Sequence, residues 1–517
     1  MVSKLLNRNC LTIYVKFYVE LSNKPCETMP NLSTPEQANP ALELSYSRSD
    51  WQQGYLSQPQ EFDYEITDIT GTIPPDIKGS LFRNGPGLLD IGGEYIHHPF
   101  DGDGMITAIA FQDGLAHLKS RFVKTEGYVT EQAAGKILYR GVFGTQKQGG
   151  WLTNIFDVKL KNIANTNIIY WGGKLLALWE AALPHRLDPQ TLETLGLDTL
   201  DGILQPGEAF AAHPRIVEDR RGKRLINFAI SPGISSKISI YELDQQGKLL
   251  QKQTRSVPGF SFIHDFVVTE NYYIFFQNPV TFNPLPFALG IRGAGECVGF
   301  DATKPTKILL IPRSPDQPLR SLSTKAGFVF HHANAWEAEG KVYVDSICYE
   351  SFPDVEPNSD FREIDFASID PGQLWRFSLD LAQNQVDRQL LESRCCEFPA
   401  LNPQNAGKSY RYLYLGAAAQ PAGNAPLQQI LKLDLATGAK QIWNAAPKGF
   451  VGEPIFVPHP QAEQEDQGWV LSLVYDADNH RSDLVILDAQ NLSNPVARLH
   501  LKHHIPYGLH GSWVEEI

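Results

Sequence analysis

WVLSLVYDADNHRSDLVILD, Trp469–Asp488, joins a run of Trp, Val, Leu and Tyr through a polar turn to a second apolar run ending in Leu487-Asp488. Short β-type runs bounded by turn formers signal strands linked by tight connections. They recur from about Trp51 onward: KLLALW at Lys174–Trp179, YYIFF at Tyr272–Phe276, KVYV at Lys341–Val344 and YRYLYL at Tyr410–Leu415. Stretches with the helical 3.6-residue period are scarce, so the chain reads as all-β. The Leu-Asp ending also recurs, at Leu187-Asp188, Leu243-Asp244, Leu379-Asp380 and Leu433-Asp434. The steps from Asp188 to Asp244, Asp380 to Asp434 and Asp434 to Asp488 are 56, 54 and 54 residues. The 136 residues from Asp244 to Asp380 leave room for two longer units. A period near 50 residues with several strands per repeat is that of propeller blades. About seven fit between Trp51 and Ile517. The expectation is a single propeller domain over residues 51–517 after a poorly ordered tail over residues 1–50.

The 517 residues carry a formal net charge of −13, and the pI is about 5.6. A nucleic-acid partner is not expected, because the basic face that such binding needs is missing. Cys10, Cys26, Cys297, Cys348, Cys395 and Cys396 are too few in this length to read as a disulfide scaffold, which favours a reducing cytoplasm. No apolar run reaches the 18 or so residues of a membrane span; Leu11–Leu21 is short and broken by Lys16 and Glu20. Residues 1–28 are expected to be a start-site artefact or a frayed tail ahead of Met29.

Four histidines stand in apolar settings far apart: His213 in FAAHP, His264 in FIHDF, His331 in VFHH and His510 in GLHGSW. Their separations of 51, 67 and 179 residues exclude a helical pair of ligands. They suit a fold in which each blade's innermost strand delivers one side chain to a shared axis. Imidazoles without thiolates fit Fe, Cu, Zn or Ni. Three glutamates share such surroundings: Glu180 in LLALWEAAL, Glu397 in CCEFPAL and Glu453 in FVGEPIFV. A buried carboxylate needs compensation, and the free N–H of a metal-bound imidazole is one partner. RNGPG at Arg83–Gly87 reads as a tight turn carrying an Arg, and HPFDGDGM at His98–Met105 as a structural Gly/Asp loop. A calcium loop would need a bidentate Glu at its twelfth position, which is missing.

Together with AHPR at Ala212–Arg215, FIHDF at Phe262–Phe266, FHHANAWE at Phe330–Glu337, EFP at Glu397–Pro399, EPIFVP at Glu453–Pro458 and LHGSW at Leu509–Trp513, these motifs make the chain resemble the carotenoid cleavage oxygenases. The resemblance runs from about Trp51 to the C-terminus. FRNGPGLL and NIANTN at Asn162–Asn167 look most like the cyanobacterial branch that acts on apocarotenoids. The resemblance implies a seven-bladed β-propeller with a dome of loops and short helices over the active-site face. It implies one ferrous ion per chain held by His213, His264, His331 and His510, with Glu180, Glu397 and Glu453 bonded to His264, His331 and His510. His213 would lack a carboxylate, and Thr166 matches a position whose methyl crowds the iron. The implied reaction is addition of O2 across the 15,15′ double bond of apocarotenals or apocarotenols, giving retinal and a second aldehyde. No Ser-His-Asp or Cys-His signature competes with that chemistry.

A polyene offers few polar handles, so an apolar tunnel must choose the bond that is cleaved. Trp179, Phe262, Phe330, Tyr349 and Phe398 are the candidate tunnel residues. Contact with one membrane leaflet would deliver the substrate, and Asn278–Gly290 (NPVTFNPLPFALG), with Phe282, Leu285, Pro286, Phe287 and Leu289, reads as an apolar loop too Pro-rich for regular structure. A monomer is expected. The rival readings are cleavage of a carotenoid or stilbene at another double bond, and a metal-free propeller that serves as a binding scaffold.

Overall fold

The computed structural model describes residues 45–353 and 360–515, and these build seven main antiparallel sheets in succession. Blade 1 contains Gly79–Leu88, Asp103–Gln112, Leu115–Phe122 and Phe62–Glu65, together with the late strand Gly511–Val514. Blades 2 to 6 have four strands each, and their first strands are Asn167–Trp171, Arg215–Asp219, Val267–Val268, Phe328–Ala338 and Cys396–Ala400. Blade 7 runs from Gly449–Val451 and Ile455–Pro458 to Asn491–His500, and its outer edge receives the early strand Ile69–Gly71. This is the expected seven-bladed propeller, with both ends of the described chain stitched across the seam between blades 1 and 7.

The Leu-Asp repeat has a local cause. Each Leu is buried and each Asp ends or follows the third strand of its blade. The Asp carboxylate then accepts the backbone N–H two residues on: Gln190, Gln246, Ala382 and Ala436 at 3.0 Å and Gln490 at 2.8 Å. This Asx turn lets an aspartate start the hairpin into the outermost strand. Blade 4 departs from the rule, because its third strand, Thr306–Pro312, runs into Arg313 instead. The Arg313 side chain is fully buried and reaches back into blade 3, to Glu242 at 2.8 Å and Asp219 at 2.5 Å. Tyr273 and Arg224 also bond Glu242, each at 2.6 Å. Around this ionic lock pack Ile226, Phe228 and Ile240 of blade 3 and Phe275 and Leu309 of blade 4.

Alternation of strand direction puts the loop before each first strand and the loop between second and third strands on one face. The long insertions 123–166 and 278–305 and the described residues 350–353 and 360–372 all occupy such positions, so they gather as a dome over that face. Two expectations need correction here. Part of the Asn278–Gly290 stretch is regular: Val280–Phe282 pairs with Val298–Phe300, and Pro284–Ala288 is a short helix capped by Asn283. Pro284 sits where a helix tolerates proline, in the first turn. RNGPG lies inside the strand Gly79–Leu88, because a Cβ at Gly85 would stand 2.5 Å from Gly508 Cα and only glycine permits that approach.

Residues 1–44, with most of the expected tail, lie outside the described residues. Its last residues belong to the folded body, since the helix Arg48–Gln53 buries Trp51 against Tyr55, Phe361 and Phe366. Cys297, Cys348, Cys395 and Cys396 are free and buried. Among the described residues no helix is long and apolar enough to cross a membrane.

Burial alone would raise the Glu242 pKa, but the hydrogen bond and charge of Arg313 hold it below the usual carboxylate value. The lock therefore contributes its stability above the unfolded pKa of about 4.3 and loses it as pH falls through the lower folded value. Glu242→Gln should cost about 3–5 kcal/mol at pH 7. That deficit should shrink as the pH drops below about 4, in paired urea melts of variant and parent. A deficit independent of pH would show that the carboxylate charge is not what locks the blades.

Candidate metal centre

The four scattered histidines meet. His213 stands two residues before Arg215–Asp219, His264 three before Val267–Val268, and His510 directly before Gly511–Val514, while His331 is inside Phe328–Ala338. These are the innermost strands of blades 3, 4, 1 and 5, all entered from the domed face. His213 Nε2 and His264 Nε2 are 2.8 Å apart, and His264 Nε2 and His331 Nε2 are 3.3 Å apart. One candidate ligand atom from each of the four rings lies within 4.8 Å of all the others. Neighbouring nitrogens on one ion with metal–nitrogen bonds of about 2.1 Å would stand about 3 Å apart, so the residues fit a metal.

Three carboxylates hold the far sides of the rings. Glu180 Oε1 is 2.5 Å from His264 Nδ1, Glu397 Oε2 is 2.6 Å from His331 Nδ1, and Glu453 Oε1 is 2.8 Å from His510 Nδ1. These are the pairings that the resemblance implies; Glu397 and Glu453 hydrogen-bond their rings, while Glu180 makes a close ion-pair contact without a formed hydrogen bond. His213 comes no closer to Glu180 than 4.0 Å, from its Nε2. Burial and the neighbouring imidazoles drive the His213 pKa well below its ordinary value. Burial also lowers His510, outweighing Glu453. His331 goes the other way, because the charge of Glu397 overcomes burial.

Glu397 is more than a partner for one ring. It accepts the Tyr349 hydroxyl at 2.7 Å and the Phe398 N–H at 2.9 Å, and with His331 these hold its carboxyl below the usual range despite burial. Tyr349, expected as a tunnel residue, orients this carboxylate. Phe398 has φ of 55°, in the left-handed region, at a bulge between Glu397 and Ala400. That backbone brings its ring to 5.7 Å from His331 and 5.4 Å from His510. Phe330 lies 5.6 Å from His264 and 5.8 Å from Tyr349. Phe262 is one layer out, packed on Phe328 and Phe352. Trp179 lines a cavity with Ile91, Ile137, Val142 and Ile163. The Thr166 hydroxyl bonds Asn165 at 3.1 Å, and its carbonyl accepts the His510 N–H at 3.1 Å.

Several supporting residues escaped the sequence reading. Arg83 pairs with Glu453, and Asn84 donates to the carbonyls of Ala164 and Asn167. Asp265, next to His264, binds Arg215 at 2.5 Å and the backbone N–H of His332 at 2.8 Å, tying blades 3, 4 and 5 together beneath the histidines. The His332 ring points away to Ser346, and burial lowers its pKa to about 3. In HPFDGDGM, Asp101 accepts the N–H groups of Val142, Phe143 and Thr145, and Asp103 faces the Lys161 ammonium, which also binds Glu131. Of these, only Asp265 carried a usable signal, an acid inside the largely apolar FIHDF.

The retinal pigment epithelial membrane protein (RPE65) family matches residues 55–515. The chain is 56% identical over 494 residues to the apocarotenoid-15,15′-oxygenase of Synechocystis, covering 94% of this chain and 99% of that one. It is 30% identical to the isoeugenol monooxygenase of Pseudomonas nitroreducens, over 88% and 95% of the two chains. It is also 30% identical to lignostilbene-α,β-dioxygenase isozyme III of Sphingomonas paucimobilis, over 89% and 96%. The crystal structure of cobalt-substituted Synechocystis apocarotenoid oxygenase superposes with a TM-score of 0.90 at 56% identity, covering 92% of this chain and all of that one.

Glu397→Gln keeps the shape but removes the charge that anchors His331. It should weaken binding of a divalent metal by about 10–100-fold, measured by competition with a chromophoric chelator. Unchanged affinity would mean that the carboxylate does not tune its ligand.

Proposed function

The chain belongs to the RPE65 family of carotenoid oxygenases, and on that footing we propose that it cleaves the 15,15′ double bond of apocarotenals or apocarotenols with O2, as a non-haem Fe(II) dioxygenase. The products would be retinal and a second aldehyde. The observation that carries this reading is the convergence of four imidazoles, two buried and two half-buried, three of them backed by carboxylates. His213, His264, His331 and His510 would hold the iron, which when bound supplies activation of dioxygen for addition across one C=C bond. The remaining work falls to the chain. Glu180, Glu397 and Glu453 fix three ring orientations, so little reorganisation is needed when the substrate arrives. Phe330 and Phe398 give the site apolar walls beside the histidines, with Phe262 and Trp179 farther out, which excludes water and locates a polyene by shape. The methyl of Thr166, whose hydroxyl is engaged by Asn165, would crowd one side of the metal.

Product analysis by HPLC on a panel of apocarotenals under air is the test. Retinal should form from substrates of several lengths. Aldehydes from another bond, or turnover of a stilbene in preference to an apocarotenal, would replace this reading with its nearest rival.

Delivery of the substrate calls for a lipid-facing entrance, and we assign it to two dome segments. Trp151, Leu152 and Phe156 are 56%, 66% and 74% exposed, beside Leu285 and Ile291 at 62% and 57%. The buried Arg140 guanidinium pins the segments together through the carbonyls of Asp157, Phe287 and Arg292, and the Phe156 N–H bonds Ala288 O at 2.8 Å. Contiguous exposed apolar surface of this kind marks a membrane or partner site. In this reading a cytoplasmic monomer dips the patch into one leaflet. Phe287, half-buried under Arg140, supports the patch more than it inserts. The double substitution Leu152→Glu and Phe156→Glu should sharply reduce cosedimentation with phosphatidylcholine liposomes while leaving the melting temperature near that of the parent. Undiminished cosedimentation would exclude this patch.

A further inference from the structure

Arg83 lies on Gly79–Leu88, directly opposite Gly511 in the pairing with the chain's last strand. Its side chain is 5% exposed. One end of the guanidinium pairs with Glu453 Oε2 in blade 7, and the other donates to the carbonyl of Leu509 at 2.8 Å. The same Glu453 oxygen accepts the Gly511 N–H at 3.0 Å, and the other oxygen faces His510 Nδ1 at 2.8 Å. Arg83, Glu453 and the Leu509-His510-Gly511 backbone thus form a closed circuit. It joins a blade 1 strand, the inner edge of blade 7 and the closing strand, with one candidate metal ligand held inside it. The fit is tight, because a Cβ at Gly511 would stand 2.1 Å from Phe82 O and 2.7 Å from Arg83 Cδ. Apart from its histidine, Glu397 is held by neutral donors, the Tyr349 hydroxyl and the Phe398 N–H.

We propose that Arg83 is a positioning residue that couples metal occupancy of the four-histidine site to closure of the propeller ring. His510 reaches the axis only while Gly511–Val514 is zipped onto blade 1. A metal that holds His510 therefore holds the zipper through Glu453 and Arg83, and by linkage opening the strand must release that binding energy. The proposal rests on the metal-site reading above and extends it to the seam of the fold.

Hydrogen exchange read by mass spectrometry on the full chain, metal-free and loaded with Co(II), tests it. Co(II) should slow exchange of peptides covering Gly79–Leu88 and Leu509–Val514 on the order of tenfold. Peptides from Leu427–Asp434, in the third strand of blade 6, should change far less. Arg83→Met should abolish this selective protection and weaken Co(II) binding by about 10–100-fold. Arg83→Lys should recover part of the affinity and a Co(II) visible spectrum close to the parent's. A merely structural arginine would lower thermal stability and leave affinity and spectrum untouched, which would overturn the proposal. Equal exchange of the closing strand with and without Co(II) in the parent would overturn it too, and that comparison stands even if Arg83→Met does not fold. Failure of the parent to bind Co(II) at all would overturn the metal-site reading itself and this coupling with it.

Discussion

Four imidazole nitrogens crowded within 4.8 Å of one another, each carried by a buried or half-buried ring, are an arrangement that folding does not give freely. Lone pairs directed at one point repel, and buried polar atoms cost free energy unless they find partners. The site is tolerable only if something else fixes each ring and something positive occupies the point where they aim. Much of the surrounding structure answers the first need. The carboxylates grip three rings from behind, Asp265 and Arg215 brace the strands that carry them, and Arg313 locks blade 3 to blade 4 farther out. The propeller makes the convergence possible, since seven similar sheets around one axis bring residues hundreds of positions apart to the same place.

The three carboxylates are not equivalent supports. Glu453 shares its charge with Arg83, and among its partners that guanidinium does most to lower its pKa. Glu397 is held by a hydroxyl, an amide and His331, so more of its charge remains for the ring, and His331 is the histidine whose pKa is raised. His510 faces a carboxylate that an arginine also engages, and burial lowers its pKa despite Glu453. His213 has no such carboxylate at hydrogen-bonding distance among the described residues. The four rings therefore differ in what stands behind them, although all are the same residue type.

What the sequence disclosed was local chemistry. The Leu-Asp repeat was legible because an Asx turn needs only its own aspartate and the residue two positions on, and that is why it measured the blades. The histidines and glutamates stood out because polar side chains in apolar strings demand a reason. What stayed hidden depended on distant partners or on backbone shape. Arg83 looked like part of a turn because its partner, Glu453, is 370 positions away. The left-handed Phe398 carries no mark in EFP that separates it from an ordinary strand residue. The helix at Pro284–Ala288 was masked by its prolines, whose meaning reverses once Asn283 caps the first turn. Blade 4 broke the repeat because Arg313 serves an interblade lock there.

On the proposed function, the architecture also separates two demands: the four histidines must be rigid, while a long apolar substrate must enter and slide. Rigidity resides in strand starts and their ionic braces, and the proposed entrance lies in the dome, which is made of insertions at the two kinds of connection that share the histidine face. Lengthening or repacking the insertions 123–166 and 278–305 would change the dome without touching a strand that bears one of the four histidines. Loops tolerate such change far better than the elements they join. On the proposed function, specificity is to be sought in the dome rather than among the histidines.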